Sequence, residues 1–202
     1  MQWNTHSNLK GAHSFLSASQ YHWINYDDEK LIARWSTAMA AARGTQYHEL
    51  AQQAIKLGHR FPANHMTVNM YVNDAIGFRM TPEQVLYYSE NAFGTADAIS
   101  FRNNELRIHD LKTGTTKPSM SQLYVYLAYF CLEYGIKPHT IKPELRLYWN
   151  DEIHICTMEP DKRALQKDHI FVSEFELDEA VRIMDKIITS DKLIRKMKEE
   201  LL

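Results

Sequence analysis

The chain has 202 residues, 45% hydrophobic, 24% charged and 11% aromatic, which is enough for a globular domain with a sizeable core. Its formal net charge is −2, which excludes a simple basic protein that coats nucleic acid; any such contact must be local or use a bound cation. No run of about 18 apolar residues exists, so no transmembrane helix is expected, and the opening MQWNTHSNLKGAHSF, with no basic segment before an apolar run, predicts no secretory signal.

In chain order, DDEKLIARWSTAMAAARGTQYHELAQQAIKLG is rich in helix formers, with Gly44 expected to interrupt the helix and Gly58 to end it. NHMTVNMYVNDAIG reads as another helix, and EQVLYYS as a strand. GTADAISFRNNELRIHDLKTG, residues 94 to 114, reads as a hairpin turning on Asn103-Asn104, since Asn tolerates positive φ. KPSMSQLYVYLAYFCLEYG predicts a helix with Pro118 near its first turn and Gly135 at its end. This helix is apolar nearly all round, which marks it as buried. ELRLYWN and EIHICTM form a second hairpin. From EFELDEAV onward an amphipathic helix runs, with Leu177, Val181, Met184 and Ile188 on one stripe and a break expected at TSD, residues 189 to 191. The expected architecture is α/β or α+β, a mixed central sheet flanked by helices. With no repeat, low-complexity tract or linker, one domain over residues 1–202 is expected, closing in a helical segment from about 176 to 202. Cys131 and Cys156 stand apart, with no CxxC and no Cys/His pair at metal spacing. That pattern fits a reducing cytoplasm and argues against a zinc site or an iron–sulfur cluster.

The first hairpin raises a chemical question. A two-residue turn pairs Arg102 with Glu105, Ile99 with Ile108, and Asp97 with Asp110. One face then carries Phe101, Ile99, Asp97, Leu106, Ile108, Asp110 and Lys112, and is expected to face the core. The other carries Ser100, Arg102, Glu105, Arg107 and His109, and is expected to be wet. Two carboxylates thus stand opposite each other, with Cβ atoms about 4.5–5.5 Å apart, where like charges destabilise. Burial sharpens the repulsion. Two arrangements relieve it: Lys112 and nearby amides bond the acids, or a divalent cation bridges them. Hard oxygen ligands select Mg²⁺ or Mn²⁺. In QLYVY, Gln122 and Tyr126 share a face of the helix after Lys112. A Gln on that apolar helix needs a partner, either backbone or the site. RGTQYHEL places His48 in a helical stretch, as a structural histidine or a ligand, with Glu49 turned about 100° away toward solvent.

Together GTQYH (44–48), GTAD (94–97), DLK (110–112) and QLYVY (122–126) resemble the PD-(D/E)xK nuclease superfamily, in its RecB-like and phage-exonuclease branch. The resemblance spans roughly residues 15 to 158 and implies a restriction-endonuclease-like core. It implies that His48, Asp97, Asp110 and the backbone carbonyl of Leu111 hold one or two Mg²⁺ or Mn²⁺ ions. Lys112 is similar to the family's lysine, which positions the attacking water and stabilises charge on the phosphate. Gln122 and Tyr126 resemble the pair that orients this lysine. SFLSASQYHW resembles the branch's N-terminal serine element, so Ser17 and Ser19 are expected to touch phosphate, with Arg43 and Lys117 adding local positive charge. The implied activity is metal-dependent hydrolysis of DNA, as an exonuclease in phage recombination, repair or DNA processing. The alternatives are a structure- or end-directed endonuclease, or a silent nuclease fold that only binds DNA. The implied partners are DNA and a single-strand annealing or recombination protein, in the cytoplasm of a bacterial cell or phage-infected host; no membrane is involved and an oligomer is compatible.

Three departures from the family pattern stand out. Gln52 sits where some members carry Glu four residues after the histidine, leaving Glu83, ahead of QVLYY, as the alternative acid, though a Glu at a strand start is commonly just exposed. Two cysteines cannot hold the four-cysteine iron–sulfur cluster of some relatives. No GxxxxGK[ST] motor motif is present.

Overall fold

The computed structural model describes residues 5–9, 11–159 and 168–201. They form two compact units, one ending at Thr45 and the other starting at Gln46. Helix α1, Asp28–Leu57, runs across this boundary. Asp27 Oδ1 accepts a hydrogen bond from the Lys30 amide at 2.8 Å and so fixes the helix start. Gly44 does not interrupt it. Its neighbours from Ala38 to Ala42 are strong helix formers, and a lone Gly costs only about 1 kcal/mol. Gly58, at φ +67°, follows the end of the helix as expected. In the first unit, 3-10 turns cover Ser7–Leu9 and Ala18–Asn25, and Phe15 packs edge-on against Trp35 at 5.1 Å.

The second unit holds the sheet. Its strands are β1, Thr81–Ser89; β2, Ala92–Arg102; β3, Glu105–Leu111; β4, Lys142–Trp149; β5, Glu152–Thr157; and β6, Ile170–Glu174. They lie in chain order, with β3–β4 and β5–β6 parallel and the other neighbours antiparallel. The architecture is therefore mixed α/β, a six-stranded mixed sheet flanked by helices. Both hairpin turns use polar residues in the left-handed region: Asn103 and Asn104 at φ 52° and 61°, Asn150 and Asp151 at 52° and 60°. The first hairpin keeps the expected register, Arg102 on Glu105 through Ala98 on His109.

Two helical layers cover the sheet. Helix α3, Ser121–Tyr134, crosses from β3 to β4 and buries Leu123, Leu127 and Phe130 with Leu106, Ile108 and Leu145. It starts three residues after Pro118, so that proline lies in the connecting loop rather than in the first turn. Gly135 caps it at φ 64°, as expected. On the other face, Ala51, Ala54 and Ile55 of α1 and Val72 and Ala75 of α2, Thr67–Gly77, pack on Ala98, Leu111 and Tyr148. This second layer corrects the expectation of a wet face. His109 is fully buried; its ring stands edge-on to Phe78 at 5.7 Å, and its Nδ1 lies 3.2 Å from the Tyr148 hydroxyl. That hydroxyl donates to Asp74 Oδ2 at 2.7 Å, and Arg146 pairs with the same carboxylate at 2.9 Å.

Helix α4, Leu177–Glu200, continues through Thr189-Ser190-Asp191. Asp191 is buried and accepts hydrogen bonds from Ser89 Oγ at 2.6 Å and Asn91 Nδ2 at 2.9 Å, so it clamps the helix to the β1–β2 turn instead of breaking it. The buried stripe is Leu177, Ala180, Ile183, Met184 and Ile187, while Val181 is exposed. Leu202 lies outside the described residues. Strand β6 was not expected, because IFVSE is short and alternates weakly on a sheet edge.

Candidate metal centre

The acids stand in a row across three strands. Asp97 lies on β2, one position beyond the Ala98–His109 pair, where the hairpin register brings it opposite Asp110 of β3. On its other side, β1 pairs Pro82 with Ala98 and Gln84 with Ala96, which leaves Glu83 opposite Asp97. Glu83 takes φ +53°, a left-handed conformation that a strand residue other than Gly rarely adopts, and drops out of the ladder. This outlier re-aims its side chain. His48 arrives from α1, with Nδ1 3.5 Å from Asp97 Oδ2. His48, Glu83 and Asp97 offer one ligand atom each within 4.8 Å of one another, a grouping that could hold a metal ion. Glu49 points to solvent, as its helical offset requires.

Asp110 takes the first of the two arrangements open to it, contact with Lys112. It is almost wholly buried, and its Oδ1 and Oδ2 lie 3.1 and 2.9 Å from Lys112 Nζ. It is thus engaged by the lysine and is not part of the three-ligand group. Its Oδ2 and His109 Nε2 are the two buried side-chain polar atoms among the described residues without a partner of hydrogen-bond geometry. The Leu111 amide donates to Asp97 Oδ2 at 2.8 Å, and its side chain is buried against α1 and α2.

Lys112 also donates to Gln122 Oε1 at 2.8 Å, and Gln122 Nε2 donates to the Tyr126 hydroxyl at 2.9 Å. The ammonium, which can only donate, therefore fixes the amide oxygen toward the lysine, and the phenol accepts from the other end. Helical spacing of four puts Gln122 and Tyr126 on one face of α3. Behind Tyr126 lies Gly94, where any side chain would come within 3.0 Å of the ring.

Burial, then the neighbouring Asp110, pushes the Asp97 carboxyl up to about 6, against the opposing pull of His48, the Leu111 amide and Lys112. Burial raises Asp110 too, with Lys112 working against it. The phenol of Tyr71, on α2, is raised by burial and then by Asp97, Glu83 and Asp110, so the three acids share one negative field. Two carboxylates and an imidazole, with a third carboxylate beside them and negative charge left uncompensated, form a donor set that fits a divalent cation.

His48, Asp97, Asp110, Lys112, Gln122 and Tyr126 are brought together, and Leu111 joins them through its amide. Ser17, Ser19 and Arg43 lie in the first unit; the two serine hydroxyls are 3.2 Å apart and Arg43 is exposed on α1. Lys117 is exposed in the loop before α3. Glu83 was undervalued from the sequence; its signal was the β1–β2 register, which needs the β1 strand extended upstream of QVLYY. Tyr71 carried no sequence signal. No family model matches the chain, and neither a curated protein nor a solved structure does, so the site rests on its own geometry.

Proposed function

We propose that the protein is a metal-dependent nuclease that hydrolyses DNA phosphodiester bonds, acting from ends as an exonuclease on a restriction-endonuclease-like core. The observation that carries this reading is the juxtaposition of the His48–Glu83–Asp97 group with the Asp110–Lys112–Gln122–Tyr126 chain at one end of the sheet. A divalent cation held by His48, Glu83 and Asp97, with Asp110 alongside, would polarise a phosphate oxygen and acidify a water. Lys112 brings the positive charge that offsets charge building on the phosphorus as water adds and the P–O bond breaks. Gln122 and Tyr126 hold the ammonium at that spot, so little reorganisation is needed during the reaction. The charge row also accounts for how a chain of net charge −2 approaches a polyanion: its acids attract a cation first.

End-labelled linear DNA and covalently closed circular DNA, each incubated with the protein in Mg²⁺ or Mn²⁺, test the reading. Linear DNA is expected to shorten from its ends while circles survive, and Asp97→Ala to abolish both metal response and cleavage. Rapid nicking of circles, lost in Asp110→Ala, would instead assign an endonuclease. DNA binding without cleavage in either metal would leave only a binding fold.

A further inference from the structure

A second feature lies beside the lysine, on the α3 side of the sheet. Leu147 of β4 faces His154 of β5, and His154 faces Phe171 of β6, so one row of side chains crosses three strands on a single face. Leu147 is buried in the core under α3, which fixes which face this is. Trp149 stands two residues on from Leu147 and shares that face. The His154 and Phe171 rings stack at 5.0 Å with only 16° between their planes. Glu152 Oε2, 3.0 Å from His154 Nε2, holds the imidazole in place. Trp149, His154, Phe171, Met120, Ser173 and Lys117 line a cavity of about 210 Å³.

This cavity is joined covalently and by hydrogen bonds to the metal centre. The Lys112 amide donates to the carbonyl of Tyr148, the residue before Trp149, at 2.9 Å. The Trp149 indole N–H donates to the Gly114 carbonyl at 2.8 Å, pinning the loop that runs from Lys112 to Lys117. A substrate strand with a phosphate at Lys112 therefore has flat aromatic surface and a lysine within a nucleotide's reach. Among the described residues, Phe171 is nearly half exposed on an edge strand, a position where a small polar residue would serve the fold as well.

We infer that this cavity receives an unpaired nucleobase of the strand whose phosphate lies at Lys112, stacked against Phe171, His154 and Trp149, with Lys117 meeting the adjoining phosphate. The inference deepens the nuclease reading and rests on it for the orientation of the strand. A base in the cavity has left its duplex partner, so the preferred substrate is single-stranded DNA or a frayed end. The chemistry of recognition is stacking, which every base offers, so sequence preference is weak.

The test separates the two readings by removing metal from one arm. Anisotropy of a 5′-labelled single-stranded 12-mer is measured in chelator, where no cleavage occurs, against the intact protein and Phe171→Ala, with melting used to check that the variant is folded. A series of 12-mers, each with one abasic position, is then scanned. Wild type is expected to lose affinity roughly five- to a hundredfold at one or two abasic positions, and Phe171→Ala to lose a similar amount on the intact strand but little more on those abasic strands. His154→Ala gives a milder version of the same pattern. Uniform binding to every abasic strand by wild type overturns the inference, whatever the cleavage assay shows. Position-dependent binding in chelator without cleavage in Mg²⁺ or Mn²⁺ upholds the base site and removes the nuclease reading instead.

Discussion

Asp97 is the residue on which the site's electrostatics converge. Its folded value near 6 lies above the 3.8 of an ordinary aspartate, so the fold favours the neutral acid. The stability this contributes is present in full below about pH 3.8 and is lost as pH rises through about 6. At neutral pH the metal-free protein therefore carries an unfavourable charge of order 3 kcal/mol, from about two pKa units at 1.36 kcal/mol each. Asp97→Asn keeps an oxygen for the Leu111 amide and removes that charge. Its metal-free melting temperature at pH 7 is expected to match or exceed wild type, with the difference vanishing by pH 4, while cleavage is abolished. A variant that melts several degrees lower at pH 7, or that cleaves at the wild-type rate, would overturn the metal-centre assignment. Protons also compete with the cation, so Mn²⁺ affinity measured by calorimetry should fall about tenfold per pH unit below about 6. At the lysine, Lys112→Ala is expected to cost on the order of 10²–10⁴ in cleavage rate with Mn²⁺ binding retained. Gln122→Ala should cost less, because Asp110 still holds the ammonium. Metal affinity lost together with rate in Lys112→Ala would make the lysine a structural counter-charge.

At the scale of elements, the site depends on how helices are anchored to the sheet. Helix α3 sets Gln122 and Tyr126, and it ends on Gly135 at φ 64° with open space around the missing side chain. Gly135→Ala therefore tests backbone strain alone and should cost about 1–2 kcal/mol in denaturant unfolding. A neutral result would mean that the helix end relaxes without loss. Helix α4 is held by Asp191, whose carboxyl is kept below its usual range first by Ser89, then by Asn91, with Arg195 adding to the effect. That stabilisation is present above pH 3.8 and is lost as pH falls through the lower folded value. Asp191→Ala should lower the melting temperature more than Ser89→Ala, since it unpairs both donors; melting of both variants at the wild-type temperature would show that the clamp carries no stability. The mixed pairing of the sheet, antiparallel in β1–β2–β3 and parallel at β3–β4, places Lys112 beside Tyr148 and so beside the aromatic cavity.

For the whole molecule, a cation at the acids of one sheet end, as proposed, would make stability and cation binding one equilibrium. Saturating Mn²⁺ should raise the melting temperature, by about 2.7 kcal/mol of stabilisation at a hundred times its dissociation constant. The increment is expected to shrink in His48→Ala, and an unchanged increment would mark His48 as a structural histidine. On the proposed nuclease reading, contacts to the DNA backbone would dominate, so binding should weaken steeply as salt rises. Affinity indifferent to salt would point to a partner other than a polyanion. Among the described residues no helix is long and apolar enough to cross a membrane.

Local chemistry determined a good part of this molecule. Asn103-Asn104 specified a tight turn, the turn specified the register, and the register put Asp97 opposite Asp110; all of this lies within one hairpin, where alternation and turn type leave little freedom. Helical spacing put Gln122 over Tyr126 for the same reason. Long-range packing decided the rest. Gly44 stays helical and Thr189-Ser190-Asp191 does not break α4, because neighbours in the chain and a buried clamp outweigh single-residue propensity. His109 is buried because α2 and Tyr148 cover a hairpin face whose polar residues suggest water. Glu83 joins Asp97 only because β1 pairs with β2 in one register and yields its own ladder position to a left-handed turn of the backbone. Lys112 lies 2.9 Å from Asp110, a contact between partners that pattern leaves open and only the folded backbone brings about.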